Sequence, residues 1–199
     1  LDVGTGPGFF PMLFAGSGWK IMAVDYTPAM LEEARMNTFG QNDDLTFHHM
    51  DAHDLRFDDA SFDIVISRNL TWNLERPYEA YREWMRVLRR GGVLINFDAN
   101  WYAHLFDEES RHGYEADRMN AAEYELFDHY IHTDVTEMES IAQNLPLGRF
   151  NRPTWDMAAL LDIGCSSVTV DCDFWKKVWS YEEQVNYAST PGFMICATK

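Results

Sequence analysis

Leu1-Asp2-Val3-Gly4-Thr5-Gly6-Pro7-Gly8 opens the chain, and the fold follows from how these eight residues are read. Leu1 and Val3 flank Asp2 as in the end of a buried strand. Three glycines at alternate positions then remove the β-carbon where the backbone must bend sharply or approach a partner closely. A strand that passes through such a turn into a helix leaves backbone N–H groups unpaired at the helix start, suited to the polar or anionic parts of a nucleotide-like ligand. Glycine-rich turns also end ordinary strands, so the motif alone leaves both readings open.

Working outward, Lys20-Ile21-Met22-Ala23-Val24-Asp25-Tyr26 is an apolar run ending in an acid, about 20 residues beyond the glycines, where a carboxylate can accept both hydroxyls of a ribose. Leu45-Thr46-Phe47-His48-His49-Met50-Asp51-Ala52 and Phe62-Asp63-Ile64-Val65-Ile66-Ser67-Arg68-Asn69 repeat the pattern of a short strand followed by polar residues. Open α/β sheets bind ligands at the carboxyl ends of their strands, where all these polar groups fall.

The ordered set is D-x-G-x-G-x-G; Val24-Asp25 before a helix; Asp51-Ala52 with Leu55 and Ser61-Phe62-Asp63; Arg68-Asn69 with Trp72; and Arg86-Val87-Leu88-Arg89-Arg90-Gly91-Gly92. It closely resembles the class I S-adenosylmethionine-dependent methyltransferases over residues 1 to about 98, with a weaker continuation to the C-terminus. The resemblance implies an α/β, Rossmann-like, mostly parallel seven-stranded sheet with a C-terminal antiparallel hairpin. It also implies S-adenosyl-L-methionine as cofactor and S-adenosyl-L-homocysteine as product. Carried over residue by residue, Gly4, Gly6 and Gly8, with Asp2 and Thr5, face the amino-acid end of the cofactor. Asp25 binds the ribose, and Asp51 and Ala52 bind the adenine; Tyr26, Met30, Arg68 and Asn69 complete the expected cofactor contacts. An Asx-type turn is the competing account of Asp51 and Asp54. His53 either stacks on the adenine or is solvated, and solvation is the preferred reading. Related enzymes carry helical residues ahead of the first strand, so an upstream segment is expected before Leu1.

At 199 residues, 46% hydrophobic and 15% aromatic, the chain can bury one substantial core, and a single domain over residues 1–199 is expected. Neither a run of 18 apolar residues nor a basic region followed by an apolar stretch is present, so no membrane span or secretory signal is read. Three cysteines, an odd number without zinc-site spacing, fit reduced thiols in a cytoplasmic protein. The formal charge of −16 repels a phosphate backbone, which argues against nucleic acid and for a small-molecule substrate.

Helices are expected over Phe9–Ala15, with Phe9, Phe10, Leu13 and Phe14 on an apolar face, and from Thr27-Pro28, with Met30, Leu31 and Ala34 facing the sheet. Pro77 to Arg90 reads as a helix stopped by Gly91-Gly92, its last turn basic, and Val93–Phe97 as the fifth strand. Residues 103–150, rich in acids, aromatics and histidines, interrupt the alternation and are expected to form a helical lid over the ligand crevice. His129 and His132 lie among acids on what reads as a solvated face, and no metal is assigned. Thr154 to Ile163 is a further helix with Met157, Leu160 and Leu161 inward. Val168, Val170, Cys172 and Phe174 alternate with polar residues as a strand, and Phe193–Thr198 follows with no convincing helix between.

Methyl transfer from a sulfonium needs alignment more than acid–base chemistry. If the acceptor must lose a proton, Asn69, Asp98 and His104 are the positional candidates for catalysis. Trp72, Trp101 and Tyr102 are candidate substrate contacts, suited to a cationic or amine acceptor. An NAD-dependent oxidoreductase, sharing the glycine turn and Asp25, and a non-catalytic S-adenosylmethionine-binding sensor or interaction protein are the competing readings.

Overall fold

The computed structural model describes residues 1–40, 44–130 and 134–199; His132 lies outside them. Among the described residues one seven-stranded sheet organises the chain. Its strands are β1 (Asp2–Val3), β2 (Ile21–Asp25), β3 (Leu45–His49), β4 (Phe62–Arg68), β5 (Leu88–Asp98), β6 (Ser167–Asp171) and β7 (Phe193–Thr198). They lie in the order β3-β2-β1-β4-β5-β7-β6. The first five pair in parallel, while β7 is antiparallel to both β5 and β6. The chain starts in the middle, steps outward to β3, then returns to lay β4 on the other side of β1. That reversal opens a crevice at the carboxyl ends of β1 and β4, where ligands of open α/β sheets bind.

Helix α1 (Phe9–Phe14) follows the glycine turn, and α2 (Pro28–Asn37) and α3 (Pro77–Val87) cross between later strands. Against expectation, Leu13 is well exposed and Phe9 partly so, leaving Phe10 and Pro11 as the buried residues of α1. In α2 only Leu31 and Ala34 are buried; Met30 points away from the sheet into the crevice. Tyr81, Trp84, Met85 and Leu88 join Val3, Val24, Val65, Leu94, Leu160 and Ile195 in the main core.

The third helix stops three residues early. Leu88 pairs with Phe62, so β5 begins there and carries Arg89, Arg90 and both glycines through a register shift opposite Phe62 and Ile64. A Cβ on Gly92 would lie 2.9 Å from the Arg89 carbonyl oxygen and 3.0 Å from that of Asp63, so close strand approach, rather than a helix stop, requires glycine there. Arg86 is committed to Glu83, Asp59 and the carbonyls of Leu55 and Phe57, bracing the 55–59 loop.

Residues 103–150 contain α4 (Glu108–Glu123) and α5 (Thr136–Ala142). Ala142 and Leu145 are buried, whereas Met138 and Ile141 are partly exposed. Then comes α6 (Thr154–Ile163), in which Leu160 is buried but Leu161 faces solvent. The expected antiparallel pairing of the last two strands is present, but β6 ends at Asp171, and α7 (Trp175–Val178) and α8 (Tyr181–Asn186) intervene before β7. Both are short, four and six residues, too short for an apolar period to show in the sequence. Helix α8 is started by a capping box between Ser180 and Glu183. No described helix is long and apolar enough to cross a membrane.

Candidate cofactor cleft

The glycine turn is tied to the end of β2. Gly4 and Thr5 both donate their N–H to the Val24 carbonyl, at 2.9 and 3.0 Å, and Gly8 donates to Thr5 at 3.1 Å. Gly6 N–H donates to Asp25 Oδ2 at 2.8 Å. The turn's amides expected to be free are therefore used internally, and what the turn offers a ligand is bare, close-approaching backbone. Gly8 does not line the crevice. Its φ is +91°, and a Cβ there would meet Ala34 Cβ at 3.1 Å; glycine lets α1 and α2 pack together.

Four strand ends converge on a cleft of about 890 Å³. The turn brings Asp2, Gly4, Thr5 and Gly6; β2 and α2 bring Asp25, Tyr26 and Met30; the loop after β3 brings Asp51 and Ala52; and β4 brings Arg68 and Asn69. His53 also lines it, as do the loop residues Asn73, Leu74, Glu75 and Arg76, for which the sequence offers no reading. The loop departs from β4 through Asn69, whose φ of +52° is left-handed, a conformation asparagine tolerates better than most residues. An Asn directly after an apolar strand was the available signal.

Each acid has a distinct environment. The Asp25 carboxylate accepts from Gly6 N–H through Oδ2 and from Thr27 N–H through Oδ1, both at 2.8 Å, leaving one lone-pair direction on each oxygen for a further donor. Asp51 Oδ1 accepts from the backbone N–H of His53 at 2.8 Å and lies 2.6 Å from His53 Nδ1. Asp51 thus does form an Asx turn, and its second oxygen is what remains for a ligand. Burial works against its ionisation, but the His53 hydrogen bonds and charge, with Arg76, hold its pKa below the ordinary carboxylate value. Trp84 Nε1 donates to the Ala52 carbonyl at 2.9 Å and steadies the same loop.

Asp2 lies on the cleft floor, 3% exposed. Its Oδ2 and the neighbouring Thr5 Oγ1 are buried without a hydrogen-bond partner among the described residues. Burial raises its pKa to about 7, and nearby Asp25 adds to the effect. The folded protein therefore holds a proton that the unfolded chain releases near its ordinary value of 3.8. Stability falls as pH rises between these values and the penalty persists above the folded pKa. Asp2→Asn removes this dependence: its melting temperature is expected to exceed that of the unsubstituted protein at about pH 8, with the gap closing towards about pH 4. Equal differences across that range in thermal melts would contradict the assignment.

The expected catalytic candidates do not gather here. Asn69 lines the cleft, donating its N–H to Phe97 at 2.8 Å. Asp98 is buried and fully engaged: Trp72 N–H, Ala99 N–H, Trp101 Nε1, Thr71 Oγ1 and Arg152 all donate to it. It cannot act as a free base in this arrangement. His104 stacks on Tyr114 at 4.3 Å and pairs with Glu139 at 3.3 Å, away from the cleft lining. Trp72, Trp101 and Tyr102 do come together, around a separate small hollow that also touches Ala142 and Leu145. Trp72 links the two spaces through its Nε1, which donates to the Asn69 carbonyl at 3.0 Å. No described residue of 103–150 lines the cleft itself. His129 contacts Glu182 and Tyr187, and no metal-binding cluster of His, Cys, Asp or Glu occurs among the described residues.

With this geometry in hand, likeness to known proteins is informative. Residues 1–96 match the family described as "Methyltransferase domain". Over 95 residues the chain is 38% identical to a demethylmenaquinone methyltransferase of Clavibacter sepedonicus and 35% identical to an uncharacterized methyltransferase of Mycobacterium avium. These matches cover 48% of this chain but only 38% and 37% of the two relatives, so the chain matches well under half their length. In structure, all of this chain aligns with 90% of a Bacillus halodurans protein described as a "putative methyltransferase", at a TM-score of 0.64 and 18% identity. It also aligns with 48% of a Haemonchus contortus phosphoethanolamine N-methyltransferase, solved with phosphomonomethylethanolamine and S-adenosylhomocysteine, at a TM-score of 0.65 and 14% identity. The acid-bearing strand ends and the glycine turn lie within the matched region, and that match, on a fold shared with solved methyltransferases, supports a class I S-adenosylmethionine-dependent methyltransferase domain over residues 1–96.

Proposed function

We propose that this chain binds S-adenosyl-L-methionine in the cleft and transfers its methyl group to a small-molecule acceptor. The observation that carries the reading is the convergence of Asp2, Asp25 and Asp51, far apart in sequence, on one cleft with the bare glycine turn. The partnerless Asp2 Oδ2 and Thr5 Oγ1 fit a ligand whose amino-acid end is polar and carries an ammonium. Asp25 has the two remaining acceptor directions that a ribose diol requires, and Asp51 has one oxygen left for an exocyclic amine.

The cofactor, when bound, supplies an electrophilic methyl group on a sulfonium that departs as a neutral thioether. The chain's task is to hold the acceptor in line and exclude water, a contribution on the order of 7–11 kcal/mol. Asn69, between the cleft and the Trp72 side chain, is the residue best placed to orient the acceptor. Trp72, Trp101 and Tyr102, roofed by the 103–150 segment acting as a lid, would form the acceptor wall. Their faces, in a chain of charge −16, suit a cationic or amine acceptor. The exposed free thiol of Cys172 is consistent with a cytoplasmic location.

Calorimetric titration with S-adenosylhomocysteine and, separately, NAD tests the cofactor, and methyl release over a panel of amine and phenol metabolites tests turnover. S-adenosylhomocysteine is expected to bind and NAD to give no heat. Preference for NAD would overturn the reading, and tight binding with no turnover on any acceptor would favour a sensor or interaction role.

A further inference from the structure

We infer that His53 is a positioning residue for purine recognition: it fixes the Asp51 carboxylate so that its free oxygen meets a 6-amino group, selecting adenine over a 6-oxo purine. The inference rests on the proposed cofactor reading and extends it to a residue expected to be solvated.

His53 is not solvated. Its side chain is 11% exposed, against 43% for Asp51, and it lines the cleft beside Asp51. One carboxylate oxygen, Asp51 Oδ1, takes both His53 groups, the backbone N–H and Nδ1. This double anchorage fixes the plane of the carboxylate and requires the proton to reside on Nδ1, because the carboxylate can only accept. Asp51 Oδ2 makes no hydrogen bond among the described residues and is left as an acceptor with a set direction. An exocyclic amine donates to such an oxygen; a 6-oxo group, itself an acceptor, is repelled by it.

His53 Nε2 is buried with no hydrogen-bond partner among the described residues. A buried polar atom left unmatched is costly, and such atoms call for a functional account. Here the ring is oriented by the demand of Asp51, at the expense of its own second nitrogen. The tight turn that sets this up closes within four residues, with Asp54 N–H donating to the Asp51 carbonyl at 3.0 Å.

The test compares S-adenosylhomocysteine with its 6-oxo analogue, S-inosylhomocysteine, by calorimetry on the full chain, with melting temperature as the control. His53→Ala is expected to weaken S-adenosylhomocysteine binding about tenfold, the loss of one charge-assisted hydrogen bond's ordering effect. Affinity for S-inosylhomocysteine should change much less, so the discrimination ratio falls. His53→Asn, whose amide can keep the donor to Asp51 in place of Nδ1, should restore most of the ratio. A merely structural histidine would lower both affinities together, or lower the melting temperature and leave the ratio intact, and either result overturns the inference. If the unsubstituted protein binds S-adenosylhomocysteine but does not discriminate, the purine selection alone fails. If it binds neither compound, the cofactor reading fails with it.

Discussion

Arg152→Ala is expected to destabilise the protein by about 3–5 kcal/mol, because it leaves two buried carboxylates without their shared cation. The Arg152, Asp98 and Asp156 side chains are all fully inaccessible. The guanidinium donates to Asp156 through Nε at 2.9 Å and Nη2 at 2.8 Å, to Asp98 through Nη1 at 3.0 Å and to Thr71 Oγ1 at 2.7 Å. Tyr81 adds a hydrogen bond to Asp156 at 2.7 Å, and Asn96 bonds both Thr71 and the Tyr81 hydroxyl. Burial opposes the Arg152 charge, but the two carboxylates more than compensate and its pKa lies above the ordinary value. For a domain of this size the loss corresponds to a fall in melting temperature of roughly 6–20 °C, measurable by thermal or denaturant unfolding. A loss below about 1 kcal/mol would mean that the buried triad relaxes or admits water. The same network holds the cleft wall, since Asp98 accepts the Trp72 N–H and the Thr71 hydroxyl at the root of the 69–76 loop. Weaker cofactor binding should therefore accompany the stability loss.

Asp25→Ala carries the largest expected effect on binding. The carboxylate joins the glycine turn to the start of α2 through two charge-assisted hydrogen bonds and, in the proposed complex, receives the ribose hydroxyls. Such bonds contribute about 1.5–3 kcal/mol each, so loss of the ribose contacts together with slackening of the turn should weaken S-adenosylhomocysteine binding about 100-fold or more. Because Asp25 lies at the end of an element rather than in the core, the melting temperature should change far less than with Arg152→Ala. Calorimetry showing a loss under about threefold would remove Asp25 from the binding reading.

Much of this architecture was legible because its signals are local. Apolar runs ending in acids gave the parallel strands, and the glycine turn with Asp25 and Asp51 gave three walls of the cleft. The failures share a different cause. Leu88 was read as helical from its period, but pairing with Phe62 draws it into β5, and tertiary pairing overrides local pattern. Gly8 was assigned to the ligand although its glycine requirement comes from Ala34 of α2, a contact no short-range pattern encodes. Asp98 looked like a base because it follows a strand; only the fold brings up Arg152, 54 residues away, to enclose it. Nothing in the sequence reveals that Asp51 turns back to His53 and buries it, and α7 and α8 are below the length at which periodicity is visible.

The most direct test of the central claim, that three distant acids and a bare turn form a single cofactor site, is a crystal structure of the protein with S-adenosylhomocysteine. The expected complex has the ribose hydroxyls on Asp25, the adenine amino group on the free oxygen of Asp51, and the amino-acid end over Gly4 and Gly6 beside Asp2. Well-ordered ligand elsewhere, or a cleft left empty at saturating concentration, would contradict it.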